Sequence, residues 1–364
     1  MLSSDNNRLC YFLVPGDINT LTGGYRYDKR IIQELRSQGY TVILISLLGN
    51  YPFPDSEQLN SAEAQLASLP DQALVIVDGL AFGVMHDQLI KHRQRLKLVA
   101  LVHHPLALET GLSQSQADRL FSCEKNALGH ARHIITTSDT TTRSLNDYGV
   151  AAQRITTVCP GTDMAPIASG SSTTSHEKPM NLLCVATITQ RKGHLVLLDA
   201  LSRVRGLEWH LNCVGSQDRD PTCSHAVAEQ CRALELEQRV SLLGELNTEE
   251  LEHQYQQADV LLLASFHEGY GMVLDEAIAH GLPIIATNAG AIAKTVLPGT
   301  GLLVPPGDSS ALADAISVFL TDSNVRSQLT ESAREARDQL RSWSQAAEEF
   351  ALAIQVATRE LAQP

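Results

Sequence analysis

Two glutamates separated by seven residues, Glu268 and Glu276, are the first feature of this chain that could do chemistry. The apolar run 260–264 before them predicts a buried parallel strand, and a helix is predicted from about Met272 to His280. Glu268 would precede that helix and Glu276 would lie in its second turn, so the carboxylates can address different parts of one extended ligand. A carboxylate accepts two hydrogen bonds and can therefore clamp a vicinal diol, such as that of a ribose or hexose.

The residues of the turn between the glutamates decide between two interpretations of this segment. It is either a ligand site or an ordinary strand–turn–helix unit with two solvated carboxylates. Gly269 and Gly271 flank Tyr270 and let the backbone approach a ligand. The free N–H groups at the start of the following helix, near Met272, suit an anion or an array of sugar hydroxyls. The glutamate spacing alone favours the ordinary unit. The glycines together with the helix stop at Gly281-Leu282-Pro283 favour the ligand site.

Arg191 and Lys192 form a second candidate site, after a strand ending near Ala186 and where a helix is predicted to begin near Lys192 or Gly193. Cations are poorly placed at a helix N-terminus unless they face an anion. Arginine can fork onto two oxygens and lysine supplies a point charge, so the pair suits a diphosphate. The alternative is a solvated basic turn.

The N-terminal half carries weaker signals. Thr22-Gly23-Gly24-Tyr25 follows the first strand and opens the first helix, either as a functional turn or as a simple tight turn. The buried strand 98–102 delivers His103, which could accept from a sugar hydroxyl or relay a proton. His104 is either a ligand contact or a packed loop residue, and Glu109 lies in the loop that follows. Asp78-Gly79 ends another strand with no assigned role.

The elements that must position these residues alternate between short apolar runs and longer helical patterns, as in parallel βαβ units. The predicted strands of the first half are 9–14, 41–47, 73–77, 97–102, 133–137 and 155–158, and its predicted helices are 23–38, 57–68, 82–95, 113–130 and 139–148. A second series has strands at 181–186, 208–214, 239–243, 259–264, 283–286 and 302–303. The tail from Ser309 is predicted to be helical throughout, with its last helix at about 344–361. We predict domains at 1–165 and 180–343, a Ser/Thr-rich linker at 166–179, and a closing segment at 344–364.

Composition excludes several classes of protein. The net charge of −13 argues against nucleic-acid binding, which needs clustered lysines and arginines. No apolar stretch approaches the length of a membrane span and no signal peptide is visible, so we expect no stable membrane insertion. Seven cysteines without a C-x-x-C motif suggest free thiols in a cytoplasmic protein. A zinc site drawn from Cys213, Cys223, His225 and Cys231 fits no standard spacing, and we expect no cofactor and no metal.

The segment 264–287 resembles the donor-site motif of retaining glycosyltransferases of family 4 (glycosyl transferases group 1). The resemblance implies the α/β GT-B fold: two Rossmann-like domains with a cleft between them, and a C-terminal helix crossing back to the N-terminal domain. It places Glu268 and the amides after it at the donor hexose and phosphates, with Glu268 either a nucleophile or a residue that only orients the donor, and Glu276 at the ribose. It assigns the diphosphate to Lys192 and provisionally to Arg191, and the strand containing Leu243 to the nucleotide base.

The same resemblance extends to the N-terminal half. It places the Gly23-Gly24 turn near the donor phosphates and the acceptor, and His103 close to the reacting sugar. Tyr25, His104 and Glu109 are the acceptor-side candidates.

The resemblance implies transfer of a hexose from a nucleotide diphosphate sugar to a sugar or other acceptor hydroxyl, with retention of the anomeric configuration. UDP-hexose is the first expected donor and GDP-mannose the second. No D-x-D signature stands at a strand end, so no divalent ion is expected. Two alternatives are a GT-B sugar-nucleotide epimerase and a non-catalytic sugar-nucleotide-binding protein. An epimerase would act without an acceptor, and a binding protein would show no turnover.

Overall fold

The computed structural model describes residues 8–109, 111–171 and 179–358. Over these residues the chain folds into two compact units. The first unit comprises the residues up to Gly161 together with those from Arg341 onward, and the second unit comprises Thr162–Leu340.

The first unit is built on a parallel sheet with helices between its strands. Its strands are β1 Leu9–Pro15, β2 Thr41–Leu47, β3 Leu74–Asp78, β4 Lys97–Val102, β5 His133–Thr136 and β6 Ile155–Thr157. Its helices are α1 Gly23–Ser37, α2 Ser56–Ser68, α3 Gly79–Phe82, α4 His86–His92, α5 Gln114–Leu128, α6 Asp139–Ser144 and α14 Trp343–Thr358. Among the described residues the strand order is β2-β1-β3-β4-β5-β6, and every neighbouring pair is parallel. All residues of β3 are buried, because both faces of the sheet are covered. A strand buried on both faces is typically a continuous apolar run in the sequence.

Helix α14 completes the core of the first unit. It packs on α1, and the ring of Phe350 stacks against Phe12 of β1 with centroids 6.4 Å apart. Trp343 meets Tyr27 of α1 edge-on at 5.9 Å. A Cβ on Gly161 would lie 2.3 Å from the backbone nitrogen of Trp343, so the chain approaches the start of α14 as closely as glycine allows.

The second unit repeats the alternation of strand and helix. Its strands are β7 Met180–Val185, β8 Trp209–Val214, β9 Val240–Gly244, β10 Val260–Leu263, β11 Ile284–Thr287 and β12 Gly301–Val304. Its helices are α7 His194–Arg203, α8 Pro221–Ala233, α9 Thr248–Gln257, α10 Met272–Ala279, α11 Ile292–Thr295, α12 Ser309–Thr321 and α13 Ser323–Ala336. Among the described residues the strand order is β12-β11-β10-β7-β8-β9, again with parallel neighbours. The carboxyl ends of the central strands β7 and β10 therefore lie side by side.

Three predicted helices differ from the structure. The helix predicted over 82–95 is shorter, because α4 begins only at His86 and ends at His92. A separate short helix, α3, precedes it: the Asp78 side chain caps α3 through the Leu80 N–H, and Gly83 is its C-cap. The predicted helix 139–148 ends at Ser144. The tail from Ser309 is not helical throughout, because Asp322 ends α12 and caps α13, and a further break precedes Trp343.

The predicted linker 166–179 is described only in part, since residues 172–178 lie outside the described residues. Its first residues are hydrogen-bonded to the second unit: the Ala168 N–H donates to the His280 carbonyl at 2.8 Å, and the Ser169 N–H donates to the Gln256 carbonyl at 3.0 Å. Residues 359–361 of the predicted last helix also lie outside the description. Within the described ranges, no helix is both long enough and apolar enough to cross a membrane.

Candidate active site

The loop after β7 and the loop after β10 contact each other at the carboxyl ends of these two strands. Gly193 has φ +68°, and a Cβ there would lie 2.1 Å from the Ala264 carbonyl oxygen. The Phe266 N–H donates to the Arg191 carbonyl at 2.7 Å. A glycine at 193 is therefore required both by its backbone conformation and by the close approach of the second loop. This contact fixes the turn with the two cations against the segment with the first glutamate.

Substitution of Gly193 should reveal this contact in the stability of the protein. Gly193→Ala should unfold at a lower denaturant concentration than Gly149→Ala, since Gly149 has a similar φ of +71° but has no atom within 4 Å of the added Cβ. The positive φ costs each variant about 1–2 kcal/mol, and only Gly193→Ala adds a backbone clash. Urea unfolding of the two variants measures the difference. Equal midpoints would contradict the close approach.

Glu268 lies at the centre of the joined loops. Its Oε1 accepts from the Lys192 ammonium at 2.5 Å and from the Ser265 hydroxyl at 2.7 Å, and its Oε2 lies 3.4 Å from the Arg191 guanidinium. The residue is 5% exposed. Burial raises the pKa of the Glu268 carboxyl, but Lys192 and Arg191 outweigh it and hold the pKa below its ordinary value. Glu268 is thus an ionised carboxylate that orders two cations.

The backbone of Glu268 is held from the opposite side by the loop after β11. The Ala291 N–H donates to the Glu268 carbonyl at 2.9 Å, and Gly290, with φ +61°, would bring a Cβ within 2.3 Å of the same oxygen. The Thr287 hydroxyl bonds to the carbonyl of Ser265. The carboxylate position is therefore set by three loops.

Gly271 is the N-cap of helix α10 and has a left-handed backbone conformation, with φ +90°. Tyr270 turns back onto the helix, and its hydroxyl donates to Asp275 Oδ2 at 2.7 Å. Burial raises the pKa of Asp275 to about 6, against the opposing hydrogen bond from Tyr270. Met272 is the first helical residue, so the free N–H groups predicted from the sequence stand at this turn.

Glu276 lies in the second turn of α10 and is 9% exposed. Its Oε2 accepts from the Tyr255 hydroxyl at 2.8 Å. The Tyr255 ring stacks on His280 at 4.5 Å, and His280 in turn bonds to the Glu276 carbonyl and to Glu252. The carboxylate is held in one orientation by α9 and by the end of α10. Leu243, the predicted base contact, lies on β9 and is 37% exposed.

The first unit has a separate cluster around His103, at the end of β4. Its Nε2 lies 3.1 Å from Asp28 Oδ1 and 3.4 Å from Asp78 Oδ2. Its carbonyl accepts from the hydroxyls of Thr137 and Thr141. The predicted acceptance of a sugar hydroxyl by this carbonyl would thus compete with two internal hydrogen bonds.

The other residues predicted in the first unit occupy defined positions. α1 begins at Gly23, and a Cβ on Gly24 would lie 3.3 Å from the His103 ring. The Tyr25 hydroxyl donates to the Pro15 carbonyl at 2.7 Å. His104 and Glu109 pair with each other at 3.2 Å rather than standing as independent contacts.

Sequence reasoning missed several of these residues. Asp28 is fully buried on the apolar face of α1, and a charged residue in that pattern was the signal that could have found it. Ser265 and Tyr255 had no such signal, because their partners are distant in sequence.

In two groups among the described residues, three side chains of types that can ligate a metal have their ligand atoms within 4.8 Å of one another: Asp28, Asp78 and His103, and Cys184, His194 and Cys213. The second group unites facing residues of β7 and β8 with the start of α7, and all three are buried. This second group contains only Cys213 of the four residues that the sequence offered as a zinc site.

Solved structures share this arrangement of two parallel six-stranded sheets, which is the GT-B fold. The sucrose-phosphate synthase of Thermosynechococcus elongatus has a TM-score of 0.79 at 22% identity, covering 95% of this chain and 98% of that chain. Anabaena HepE, in complex with UDP and glucose, has a TM-score of 0.75 at 17% identity, covering 95% of this chain and 99% of that chain.

Family models match both units. The model for Glycosyl transferases group 1 matches residues 179–322, and the model for Glycosyltransferase Family 4 matches residues 22–165. The chain belongs to this family of glycosyltransferases, as its donor-site motif predicted.

Curated relatives include two named D-inositol 3-phosphate glycosyltransferase. The one from Corynebacterium diphtheriae is 28% identical over 275 residues, 69% of this chain and 64% of the relative. The one from Pseudarthrobacter chlorophenolicus is 28% identical over 255 residues, 66% of this chain and 60% of the relative. The chain therefore spans less than two thirds of the length of these relatives.

Proposed function

We propose that this protein is a retaining, metal-independent glycosyltransferase that moves a hexose from a nucleotide diphosphate sugar to an acceptor hydroxyl. The observation that carries the proposal is the cluster of Lys192, Arg191 and Glu268 at the carboxyl ends of β7 and β10. Open α/β sheets bind ligands beyond the carboxyl ends of their strands. Two ordered cations at that edge suit a diphosphate leaving group.

The chemistry assigned to the cations is charge stabilisation. Cleavage of the glycosidic bond leaves negative charge on the diphosphate, and Lys192 and Arg191 offset that charge from fixed positions. Glu268 holds both cations, and its carboxylate already accepts from Lys192 and Ser265. We therefore assign Glu268 to orientation of the cations and donor rather than to nucleophilic attack. The leaving phosphate would take the acceptor proton, which requires no protein base.

The binding roles follow the same geometry. The turn of Gly269, Tyr270, Gly271 and Met272 presents backbone N–H groups to the donor, and Glu276 clamps the ribose. UDP-hexose is the first proposed donor, since Anabaena HepE is described in complex with UDP-glucose. GDP-mannose is the second. The relatives act by name on inositol phosphate, so a phosphorylated polyol hydroxyl is the first acceptor to test. We keep the cytoplasmic location as a prediction.

Thermal-shift screening tests the proposal. UDP, GDP, ADP and their sugars are added separately, because a ligand that binds only the folded state raises the melting temperature. One base series should raise it, and its nucleotide sugar should act at least as strongly as the nucleotide. No shift with any compound would contradict the proposed donor site.

A further inference from the structure

A group of two thiols and one imidazole lies in the core of the second unit. Cys184 of β7 and Cys213 of β8 are direct neighbours in the parallel register, so their side chains point to the same face of the sheet. His194 is the first residue of α7, the helix that connects these two strands. The three residues are 1%, 4% and 2% exposed, in the order Cys184, Cys213, His194. Strand pairing and the start of one helix therefore bring the three side chains together.

The distances within this group suit a single metal ion. The three ligand atoms, two thiol sulfurs and one imidazole nitrogen, all lie within 4.8 Å of one another. Cys184 Sγ is 3.9 Å from His194 Nε2. Around a tetrahedral zinc ion, with Zn–S bonds of about 2.3 Å and Zn–N bonds of about 2.0 Å, ligand atoms lie about 3.5–3.8 Å apart. Side-chain shifts of about 1 Å would therefore close the three atoms around one ion.

The imidazole of His194 has weak partners within the protein. Its Nδ1 is buried and has no hydrogen-bond partner among the described residues. Its Nε2 contacts the Cys184 sulfur at a distance that is long for a hydrogen bond, and a thiol is a weak donor and a weak acceptor. Burial of a polar ring with such partners is unfavourable. A bond from Nε2 to a metal ion would replace the weak thiol contact with a strong one.

We propose that Cys184, Cys213 and His194 bind a structural zinc ion. Thiolate sulfur and imidazole nitrogen are the ligands that zinc prefers in proteins, and a water molecule completes the coordination where the protein supplies three ligands. Two thiolates, a neutral imidazole and a divalent ion have a total charge of zero, which suits a buried site. Monovalent copper with the same ligands would leave a buried negative charge, which is costly.

The ion would connect the start of α7 to two strands of the sheet. His194 follows Lys192 by two residues, so the ion would also stabilise the turn that carries this cation. We assign the ion to stability and not to sugar transfer, since its ligands are buried in the core. The inference is independent of the proposed function, and it departs from the expectation of no metal drawn from the sequence.

Cobalt substitution in the full chain tests the site. The protein is produced in zinc-depleted medium that contains Co²⁺, so that the ion is present while the buried site folds. Thiolate ligands give bound Co²⁺ a charge-transfer band in the near ultraviolet. Cys184→Ala and Cys213→Ala each remove one thiolate but keep a small apolar side chain, and His194→Gln removes the imidazole. Cys10→Ala is the matched control, since Cys10 is also a buried thiol on a strand but lies on β1 of the first unit.

We expect the wild type and Cys10→Ala to contain about one cobalt ion per chain and to show the thiolate band. Protein produced with zinc should contain a similar amount of zinc by elemental analysis. In Cys184→Ala, Cys213→Ala and His194→Gln, the metal content should fall at least about tenfold. Removal of zinc by a chelator should lower the melting temperature of the wild type and of the control, because the ion binds only the folded state.

A wild-type protein without the thiolate band would overturn the inference, and so would a band of full intensity in both cysteine variants. Recovery of Cys184 and Cys213 as a disulfide from protein kept under reductant would also overturn it, because paired sulfurs are not free to bind zinc. If both cysteine variants fail to fold, X-ray absorption at the zinc edge of the wild type decides. We then expect two sulfur ligands and an imidazole, and a shell of oxygen and nitrogen alone would contradict the site.

Discussion

Lys192→Ala should lower kcat by about 10²–10³-fold, the range found when one preorganised donor to a developing negative charge is removed. The substituted ammonium lies 2.5 Å from Glu268 Oε1, and the turn that carries it packs through Gly193 against the next loop. Charge on the diphosphate grows as the glycosidic bond breaks, so the loss should be larger in the transition state than in the bound donor. The nucleotide Kd should therefore change much less than kcat. Steady-state kinetics with the donor found by thermal shift measures both.

Two further variants isolate the position of this charge. Lys192→Arg keeps a cation but changes its geometry, and should fall between wild type and alanine. Lys91→Ala removes a lysine that also pairs with a glutamate, Glu63, at 3.1 Å, but that is 58% exposed on α4. It should leave kcat unchanged. If Lys192→Ala kept the full kcat, the basic turn would be only a structural ion pair with no role in catalysis.

Glu276→Gln should weaken nucleotide binding by about 10–100-fold, since hydrogen bonds to a charged group contribute about 1.5–3 kcal/mol. The carboxylate is positioned by Tyr255, and the substitution keeps its size while removing the charged acceptor for a ribose diol. Calorimetric titration of UDP or GDP into the variant and wild type measures the change.

Tyr255→Phe is the matched control for Glu276. It removes the hydroxyl that donates to the carboxylate but keeps a ring to stack on His280. It should weaken binding less than Glu276→Gln does. Deoxyribose nucleotides give a second check, because they lack one hydroxyl of the diol. Their affinity for the wild type and for Glu276→Gln should therefore be similar. Equal affinity of Glu276→Gln and wild type would end the ribose assignment.

The fold was predictable where buried strands are continuous apolar runs. The run 260–264 became β10, with all four residues of Val260–Leu263 buried, and the Gly271 turn and α10 followed as predicted. Short helices were less predictable, because their ends depend on single caps. Asp78 ends a strand and caps α3, a short helix that was not predicted, and the helix predicted over 82–95 is confined to α4.

The site was predictable as separate segments but not as contacts. The sequence placed Lys192 and Glu268 on loops after different strands, and gave no reason for a direct ion pair between residues 76 positions apart. It named His103 but not Asp28, because a buried acid on a helix is recognisable only once the helix face is known to be covered. His104 and Glu109 were assigned to an acceptor, and their mutual pairing depends on a local loop conformation that no periodicity specifies.

Sugar transfer itself is tested most directly by ¹H NMR of a reaction containing the full chain, the nucleotide sugar selected by thermal shift, and inositol phosphates as acceptors, with EDTA present. We expect a new glycoside whose anomeric coupling constant matches the donor configuration, formed without added metal and at a rate that Lys192→Ala lowers. A product of inverted configuration, an epimerised donor formed without acceptor, or no consumption of any nucleotide sugar that binds would contradict it.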